Sequence, residues 1–165
     1  LVASHRHVFA PLILFALFGP AGAVFYRLAR HFAQAWAERG GAPDDAFGEF
    51  ARRAFAIIDW LPVRMTAASF AIVGNFEDAV FCWRTQAARW REEASGILLA
   101  SGAGALGVRL GMPIGGDDRF GDRPELGVGD DADADFMQSA VGLVWRTLVM
   151  ALLLLTLLGI ASWAG

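Results

Sequence analysis

A carboxylate and a guanidinium interrupt an otherwise apolar stretch near the middle of the chain, "IIDWLPVRMTAASFAIVGNF" (residues 57–76). Asp59 and Arg64 are five residues apart, about 140° around the axis of an ideal helix, so a regular helix does not pair them. Pro62 lies between them, and a kink or an entry loop there would allow the two charges to meet. A charge at the centre of a bilayer costs about 2.5–3.5 kcal/mol and normally faces protein or water. The two residues are therefore either solvated at a membrane interface, joined as a structural ion pair, or part of a functional site.

A second candidate is the glycine-rich stretch "SGILLASGAGALGVRLG" (residues 95–111). Its three glycines between positions 102 and 107 formally match G-x-G-x-x-G, a dinucleotide-binding pattern that needs a preceding strand and a distal acid. The chain contains no Lys, which excludes a Walker-type phosphate loop. The spacing alone favours close packing of small residues. We predict a helical or re-entrant segment over residues 97–110 that packs against a membrane helix through Ala100, Gly104 and Gly107.

Metal-ligating residue types occur without the spacing of a metal site. Residues 117–135 hold eight acidic side chains and two arginines, but they lack the ligand spacing of an EF-hand calcium loop. We interpret them as a solvated loop in which Asp133 or Asp135 caps the last helix. His5 and His7 are two residues apart and cannot share a helix face, and no third ligand lies near them in the sequence. We predict no metal site.

The composition is typical of a membrane protein. Of the 165 residues, 56% are hydrophobic and 19% are charged, against about 45–50% and about 25% in soluble proteins. The mean hydropathy is +0.44. A net charge of −3 gives no support for a nucleic-acid partner. Cys82 is the single cysteine, so the chain has no internal disulfide.

Three segments are long and apolar enough to cross a bilayer as helices. We place these spans near residues 8–26, 54–76 and 142–163. The first contains Pro11 and Gly19, which membranes tolerate in helices, and Tyr26 at its end is interpreted as an interfacial anchor. In the third, Arg146 and Trp163 bracket an uncharged run. The lipid bilayer is thus the first expected partner.

Two polar regions connect the predicted spans. The first connection is short and rich in arginine, which places it in the cytoplasm by the positive-inside rule. The second, residues 77–138, is long and partly glycine-rich, and its side of the membrane stays open. An amphipathic helix is predicted over residues 78–90. The sequence therefore predicts an all-α, polytopic integral membrane protein, with residues 1–165 as a single domain.

Four stretches together resemble one known family. They are "APLILFALFGPAGAVFYR" (residues 10–27), "DWLPVRMTA" (59–67), "WRTQAARW" (83–90) and "GALGVRLG" (104–111). In this order they look like the CobD/CbiB family, and the resemblance extends from about residue 8 to residue 161. It implies a multi-pass protein of the bacterial inner membrane, of which this chain is the C-terminal half. The candidate motif residues that it implies are Asp59, Arg64, Thr66, Arg84, Gly104, Gly107 and Arg109.

The activity implied by the resemblance is that of adenosylcobinamide-phosphate synthase. This enzyme uses ATP to join adenosylcobyric acid to aminopropanol or its phosphate through an amide bond. ATP and a corrinoid intermediate are therefore expected ligands if the family activity is retained.

Three polar motifs of the family differ in this chain, at residues 4–7, 28–36 and 94–96. In these places the sequence resembles the AmpE branch, membrane proteins linked to β-lactamase regulation, and this gives a non-enzymatic signalling alternative. Because the other polar motifs have changed, we expect Asp59 and Arg64 to form a structural ion pair.

Overall fold

The computed structural model describes residues 1–39, 46–90, 92–110 and 125–164, and these residues are mostly helical. The helices are α1 (Val2–Ser4), α2 (Ala10–Phe18), α3 (Pro20–Arg39), α4 (Ala46–Val73), α5 (Phe76–Gln86), α6 (Glu93–Leu106) and α7 (Ala134–Ala164). A π-helical turn, His5–Phe9, joins α1 to α2, and a 3₁₀ turn, Ala87–Arg89, follows α5. The predicted helical class is confirmed. The chain divides into two compact units, residues 3–65 and residues 66–165 with the first two residues.

In the unit of residues 3–65, the first predicted span is two helices and not one. Gly19 separates α2 from α3 with a φ of 67°, a left-handed backbone value that glycine adopts without a steric cost. Pro20 is the first residue of α3, a position that suits proline because the first N–H groups of a helix lack intrahelical partners. The continuous helix predicted over residues 8–26 is therefore not observed, because the Gly-Pro pair ends one helix and starts the next.

The helices α2 and α3 pack antiparallel. A Cβ atom added at Gly22 would lie 2.9 Å from Phe18 Cβ and closer still to the Leu14 carbonyl oxygen, so the two backbones approach closely. Further along, Ala10 and Tyr26 share one buried cluster. Residues earlier in α2 therefore lie beside residues later in α3, as expected for antiparallel helices.

The helix α4 is continuous through Pro62. It is 28 residues long, and its N-terminal part, up to residue 65, belongs to the first unit while the remainder belongs to the second. The predicted polar connection ahead of it is largely helical, because α3 extends to residue 39 and α4 begins at residue 46. Residues 40–45 of this connection lie outside the described residues.

In the unit of residues 66–165, α6 packs closely on its neighbours. A Cβ at Gly104 would lie 2.7 Å from the Cα of Ala79 in α5, so only glycine permits this distance. Ser101 donates a hydrogen bond of 2.8 Å to the Ala67 carbonyl oxygen of α4. The helix predicted over residues 97–110 is thus observed as far as Leu106, beyond which residues 108–109 form a strand. Gly104 contacts α5, which is not a candidate membrane span.

Gly107 has a different role from the one predicted. It ends α6 with a φ of 66°, and its N–H bonds to carbonyl oxygens of the last turn, as in a left-handed helix cap. A Cβ added there would meet no described atom within 4 Å. The sequence predicted a packing contact, whereas the structure needs glycine here for its backbone conformation.

A small sheet and a long helix complete this unit. β1 (Val108–Arg109) pairs in parallel with β2 (Asp130–Asp131), and Leu110 forms an antiparallel bridge with Leu126. The predicted helix over residues 78–90 is observed as α5, whose N-terminus is capped by the Asn75 side chain. By length and composition, two helical segments among the described residues are candidate membrane spans, Gly48–Val73 and Phe136–Trp163. They overlap the second and third predicted spans.

Candidate functional site

Asp59 lies at the centre of a buried polar cluster, which we call the Asp59 triad (His5, Tyr26 and Asp59). The Tyr26 hydroxyl donates a hydrogen bond of 2.9 Å to Oδ1 of Asp59, and Nε2 of His5 lies 3.1 Å from the same oxygen. Asp59 is 4% exposed, and both partners are fully buried. Three helical segments therefore meet at one carboxylate.

Local backbone structure places each member of the triad. His5 begins the π-helical turn, a rare distortion that changes which side chains face inward and that frequently occurs at functional sites. Tyr26 faces inward from α3, and its ring lies 5.5 Å from the ring of Phe55 on α4. Ala10 and Leu14 belong to the same buried cluster as Tyr26. The polar contacts are thus enclosed by apolar side chains.

The chemistry of the triad is that of a satisfied internal carboxylate. A buried charge is tolerated when hydrogen bonds and partners replace its water, and Asp59 has two partners on a single oxygen. In the part of the chain that the structure describes, every buried side-chain nitrogen and oxygen has a hydrogen-bond partner. This arrangement holds the helical segments of residues 3–65 together around a buried carboxylate.

Arg64 points away from the triad. Its guanidinium lies 4.2 Å above the centre of the Trp60 ring and donates a hydrogen bond of 3.3 Å to the Trp60 carbonyl oxygen. The predicted ion pair between Asp59 and Arg64 is therefore wrong, because the Asp59 carboxylate bonds to His5 and Tyr26. The angular separation on a regular helix explains this result, because α4 does not break at Pro62.

Tyr26 also corrects a sequence-based interpretation. The sequence predicts that Tyr26 anchors a span at the membrane interface, but its side chain is fully buried and bonds to Asp59. A tyrosine in the interior normally finds a polar partner for its hydroxyl.

The other candidate residues lie in the unit of residues 66–165. Thr66 is buried on α4, and Arg84 is exposed in the last turn of α5. Arg109 lies on β1, where its Nε donates a hydrogen bond of 2.8 Å to the Gly129 carbonyl oxygen. Its terminal nitrogen lies 3.5 Å from the Asp131 carboxylate, and both side chains are about half exposed, at 48% and 60%. Of the candidate residues, Arg84 and Arg109 are thus the accessible cations of this unit.

Gln86 holds in place the loop that contains Gly127 and Gly129, the loop to which Arg109 bonds. Its side-chain amide accepts a hydrogen bond of 2.6 Å from the Gly127 N–H and donates one of 3.2 Å to the Gly127 carbonyl oxygen. Two bonds to one residue hold the loop against α5. Cys82, also on α5, is buried, and burial raises the pKa of its thiol, with a further contribution from the charge of Asp78. A buried thiol with a raised pKa packs and does not react.

The described residues contain no group of three metal-ligating side chains close enough to hold an ion. Residues 117–124 of the acidic stretch lie outside the described residues. Asp130 and Asp131 form β2 and are exposed, and Asp133 directly precedes α7.

Fold and site together define a mostly helical protein with two candidate membrane-spanning helices, a buried carboxylate triad and an exposed arginine beside a glycine-rich helix. A family model described as "CobD/Cbib protein" matches residues 4–144. The chain belongs to the CobD/CbiB family.

Individual relatives agree with the family match. The chain is 38% identical over 148 residues to the "Cobalamin biosynthesis protein CobD" of Stutzerimonas stutzeri (strain A1501), covering 90% of this chain and 48% of the relative. It is 37% identical over 139 residues to the protein of the same description from Chromobacterium violaceum, covering 84% and 44%. A "Probable cobalamin biosynthesis protein CobD" of Archaeoglobus fulgidus is 32% identical over 108 residues, covering 64% and 34%. The chain thus spans about half the length of the first two relatives. No solved structure matches it significantly.

Three residues with a role in these clusters were missed by the sequence interpretation: His5, Tyr26 and Gln86. Tyr26 is the single tyrosine of the chain and stands at the end of an apolar segment, which was the available signal for a buried hydroxyl. His5 was considered as a metal ligand alone. Gln86 lies inside the stretch "WRTQAARW" but carries no charge, so charge patterns could not select it.

Proposed function

We propose that this chain is part of a CobD/CbiB-type adenosylcobinamide-phosphate synthase of the bacterial inner membrane. The observation that carries the proposal is the family match over residues 4–144. The relatives from Stutzerimonas stutzeri and Chromobacterium violaceum both carry the description of a cobalamin biosynthesis protein. These names favour the cobalamin pathway over the alternative of AmpE-like signalling.

The membrane placement is supported by α7. Its residues from Thr147 to the end of the helix are uncharged, and its large side chains are exposed, among them Leu153 at 60%, Leu158 at 65% and Trp163 at 91%. An apolar helix with so much exposed surface is stable in lipid, where that surface avoids water. The segment Gly48–Val73 of α4 is the second candidate. We propose a multi-pass arrangement in which both helices cross the inner membrane.

The reaction joins a carboxyl group of adenosylcobyric acid to the amine of aminopropanol or its phosphate, driven by ATP. Every one of these substrates except aminopropanol itself carries carboxylate, phosphate or amide groups that an exposed guanidinium recognises well. Arg109 and Arg84 are the accessible cations among the motif residues of the unit of residues 66–165, and we assign them to substrate contact. We assign the Asp59 triad to holding α2, α3 and α4 in place.

The test uses the full-length protein, purified in detergent and incubated with adenosylcobyric acid, ATP and aminopropanol phosphate. We expect adenosylcobinamide phosphate by mass spectrometry, and no product when ATP or the amino alcohol is omitted. The same gene should restore cobalamin synthesis in a strain that lacks its own synthase.

A membrane-bound, folded protein that yields no product and does not complement would contradict the ligase assignment. If deletion of the gene then changed β-lactamase induction, the signalling alternative would replace it. The two readouts use different strains and therefore separate the two functions.

A further inference from the structure

A cleft of about 430 Å³ lies within the unit of residues 66–165. The C-terminal ends of α4 and α6 form one wall, with Gly74 and Leu106, and α7 forms the other, with Ser139, Gly142 and Arg146. Its volume lies in the range of about 300–1,000 Å³ that is usual for small-molecule sites. The family motifs and the substrate contacts assigned above do not include its α7 wall.

Among the described residues that line this cleft, Arg146 is the one with a charged side chain. It is exposed, and no described residue forms an ion pair or hydrogen bond with it. Gln138 and Ser139, two turns before it on α7, add neutral hydrogen-bond donors. A planar guanidinium with further donors and no competing carboxylate suits a phosphate group.

The face of α7 that carries Arg146 continues as an apolar strip. Val149, Leu153 and Leu157 follow it at intervals of three, seven and eleven residues, so they lie on the same side of the helix. They are 52%, 60% and 62% exposed. The uncharged run of the sequence begins directly after Arg146, at Thr147. The Arg146 guanidinium therefore lies at the end of the apolar segment, at the level expected for phospholipid headgroups, and acyl chains can pack along the apolar strip.

We propose that this cleft binds the phosphate headgroup of a membrane phospholipid, with Arg146 holding the phosphate and the strip Val149–Leu153–Leu157 contacting an acyl chain. The proposal rests on the membrane placement given above, because a phospholipid reaches the cleft only if α7 lies in the bilayer. It does not depend on ligase activity.

Two glycines of α7 provide a matched pair of variants. A Cβ added at Gly142 or at Gly159 meets no described atom within 4 Å, so both positions have room for a larger side chain. Gly142 lines the cleft and Gly159 does not. Leucine is a better helix former than glycine at either position. Gly142→Leu therefore fills the cleft without removing a charge, and Gly159→Leu controls for the substitution itself.

The experiment titrates the detergent-solubilised full chain with phosphatidylglycerol and counts bound lipid by native mass spectrometry. We expect Arg146→Gln to raise the apparent Kd about tenfold, as the loss of one charge-assisted hydrogen-bonding group implies. Gly142→Leu should raise the apparent Kd to a similar extent, because the new side chain occupies the cleft while Arg146 is kept. Gly159→Leu and Arg53→Gln should bind like the wild type. Arg53 is a suitable control because it is an exposed arginine on the other candidate span, is paired with Glu49 and is not among the residues that line the cleft.

Three results would overturn the proposal. The first is equal lipid binding by wild type, Arg146→Gln and Gly142→Leu. The second is sn-glycerol 3-phosphate binding as tightly as phosphatidylglycerol, since this would make the ligand a soluble phosphate ester. The third is a lower Tm of Arg146→Gln with unchanged lipid binding, which would show that Arg146 only stabilises the nearby helix C-termini.

The membrane placement is checked separately by washing membranes with alkaline carbonate. A chain that washes off contradicts the membrane placement itself. A chain that stays in the membrane while its lipid Kd is unchanged in both cleft variants contradicts the cleft proposal alone. If Arg146→Gln does not fold, Gly142→Leu carries the test.

Discussion

The Asp59 triad and the Arg109 contacts are both built on charged residues of family-like motifs, but their surroundings are opposite. Asp59 is 4% exposed and bonds to two buried side chains, whereas Arg109 is about half exposed and bonds to a backbone carbonyl and an exposed carboxylate. A buried, satisfied carboxylate mainly stabilises the fold, while an exposed guanidinium can still bind a ligand. Membership in a motif therefore does not by itself distinguish a structural residue from a functional one.

The glycines of α6 show the same contrast on a smaller scale. Gly104 is required because a side chain would collide with the backbone of α5, and Gly107 is required because its φ is positive. The two lie three residues apart in one motif, yet one serves packing and the other serves the end of the helix.

The largest expected effect is that of Gly104→Leu. The new side chain would overlap the backbone at Asp78 and Ala79, and backbone cannot move aside as a flexible side chain does. We expect a loss of about 3 kcal/mol or more in the free energy of unfolding, at or above the upper end for overpacking. Folded yield and Tm in detergent measure it, with Gly159→Leu as the control. Wild-type yield and Tm for Gly104→Leu would contradict the close contact of α5 and α6.

The next effect is that of Asp59→Leu. This change leaves the Tyr26 hydroxyl and the His5 ring buried without their acceptor, and we expect a loss of about 3 kcal/mol. Asp59→Asn keeps an acceptor oxygen at nearly the same volume, so its loss should be about 1 kcal/mol. Denaturant titration in detergent compares the two variants. Equal losses would mean that the hydrogen bonds of the triad contribute little.

A smaller effect tests which partner Asp59 uses. In a double-mutant cycle, Asp59→Leu and Tyr26→Phe should couple by about 1 kcal/mol, because each change removes the hydrogen bond that the two side chains share. Asp59→Asn and Arg64→Met should add to within about 0.5 kcal/mol. Free energies of unfolding from the same titration give both cycles. The reverse pattern would restore the ion pair between Asp59 and Arg64 that the sequence suggested.

The smallest expected change in stability is that of Arg109→Gln. An ion pair between exposed side chains contributes at most about 1 kcal/mol, so the free energy of unfolding should change by less than that. Formation of adenosylcobinamide phosphate should nevertheless fall at least about tenfold if Arg109 contacts substrate. Arg53→Gln removes a comparable exposed arginine, which is paired with Glu49. This variant should leave product formation unchanged. A fall in stability that matches the fall in activity would make Arg109 a structural residue, like Asp59.

Much of the helical architecture follows from the sequence. The uncharged run after Arg146 predicts α7, because an apolar segment of that length satisfies its backbone hydrogen bonds as a helix. Asn75, together with the apolar spacing that follows it, agrees with the observed start of α5. The spacing of small residues before Gly107 predicts a closely packed helix, which is α6. The motifs around Asp59 and Gly104 also led to the family.

Tertiary structure decided which residues meet. Local patterns could not show that His5, Tyr26 and Asp59 share one site, because they are separated by up to 54 positions in the sequence and meet only when their helices pack. The Gly19-Pro20 pair was visible, but whether it would bend one helix or separate two depended on the packing of α2 against α3. The predicted ion pair between Asp59 and Arg64 needs a kink or a loop at Pro62, whereas on the continuous helix α4 the two side chains point in different directions. Sequence periodicity thus determined the helices, since it reflects local backbone geometry, while the partners of each polar side chain depended on long-range packing.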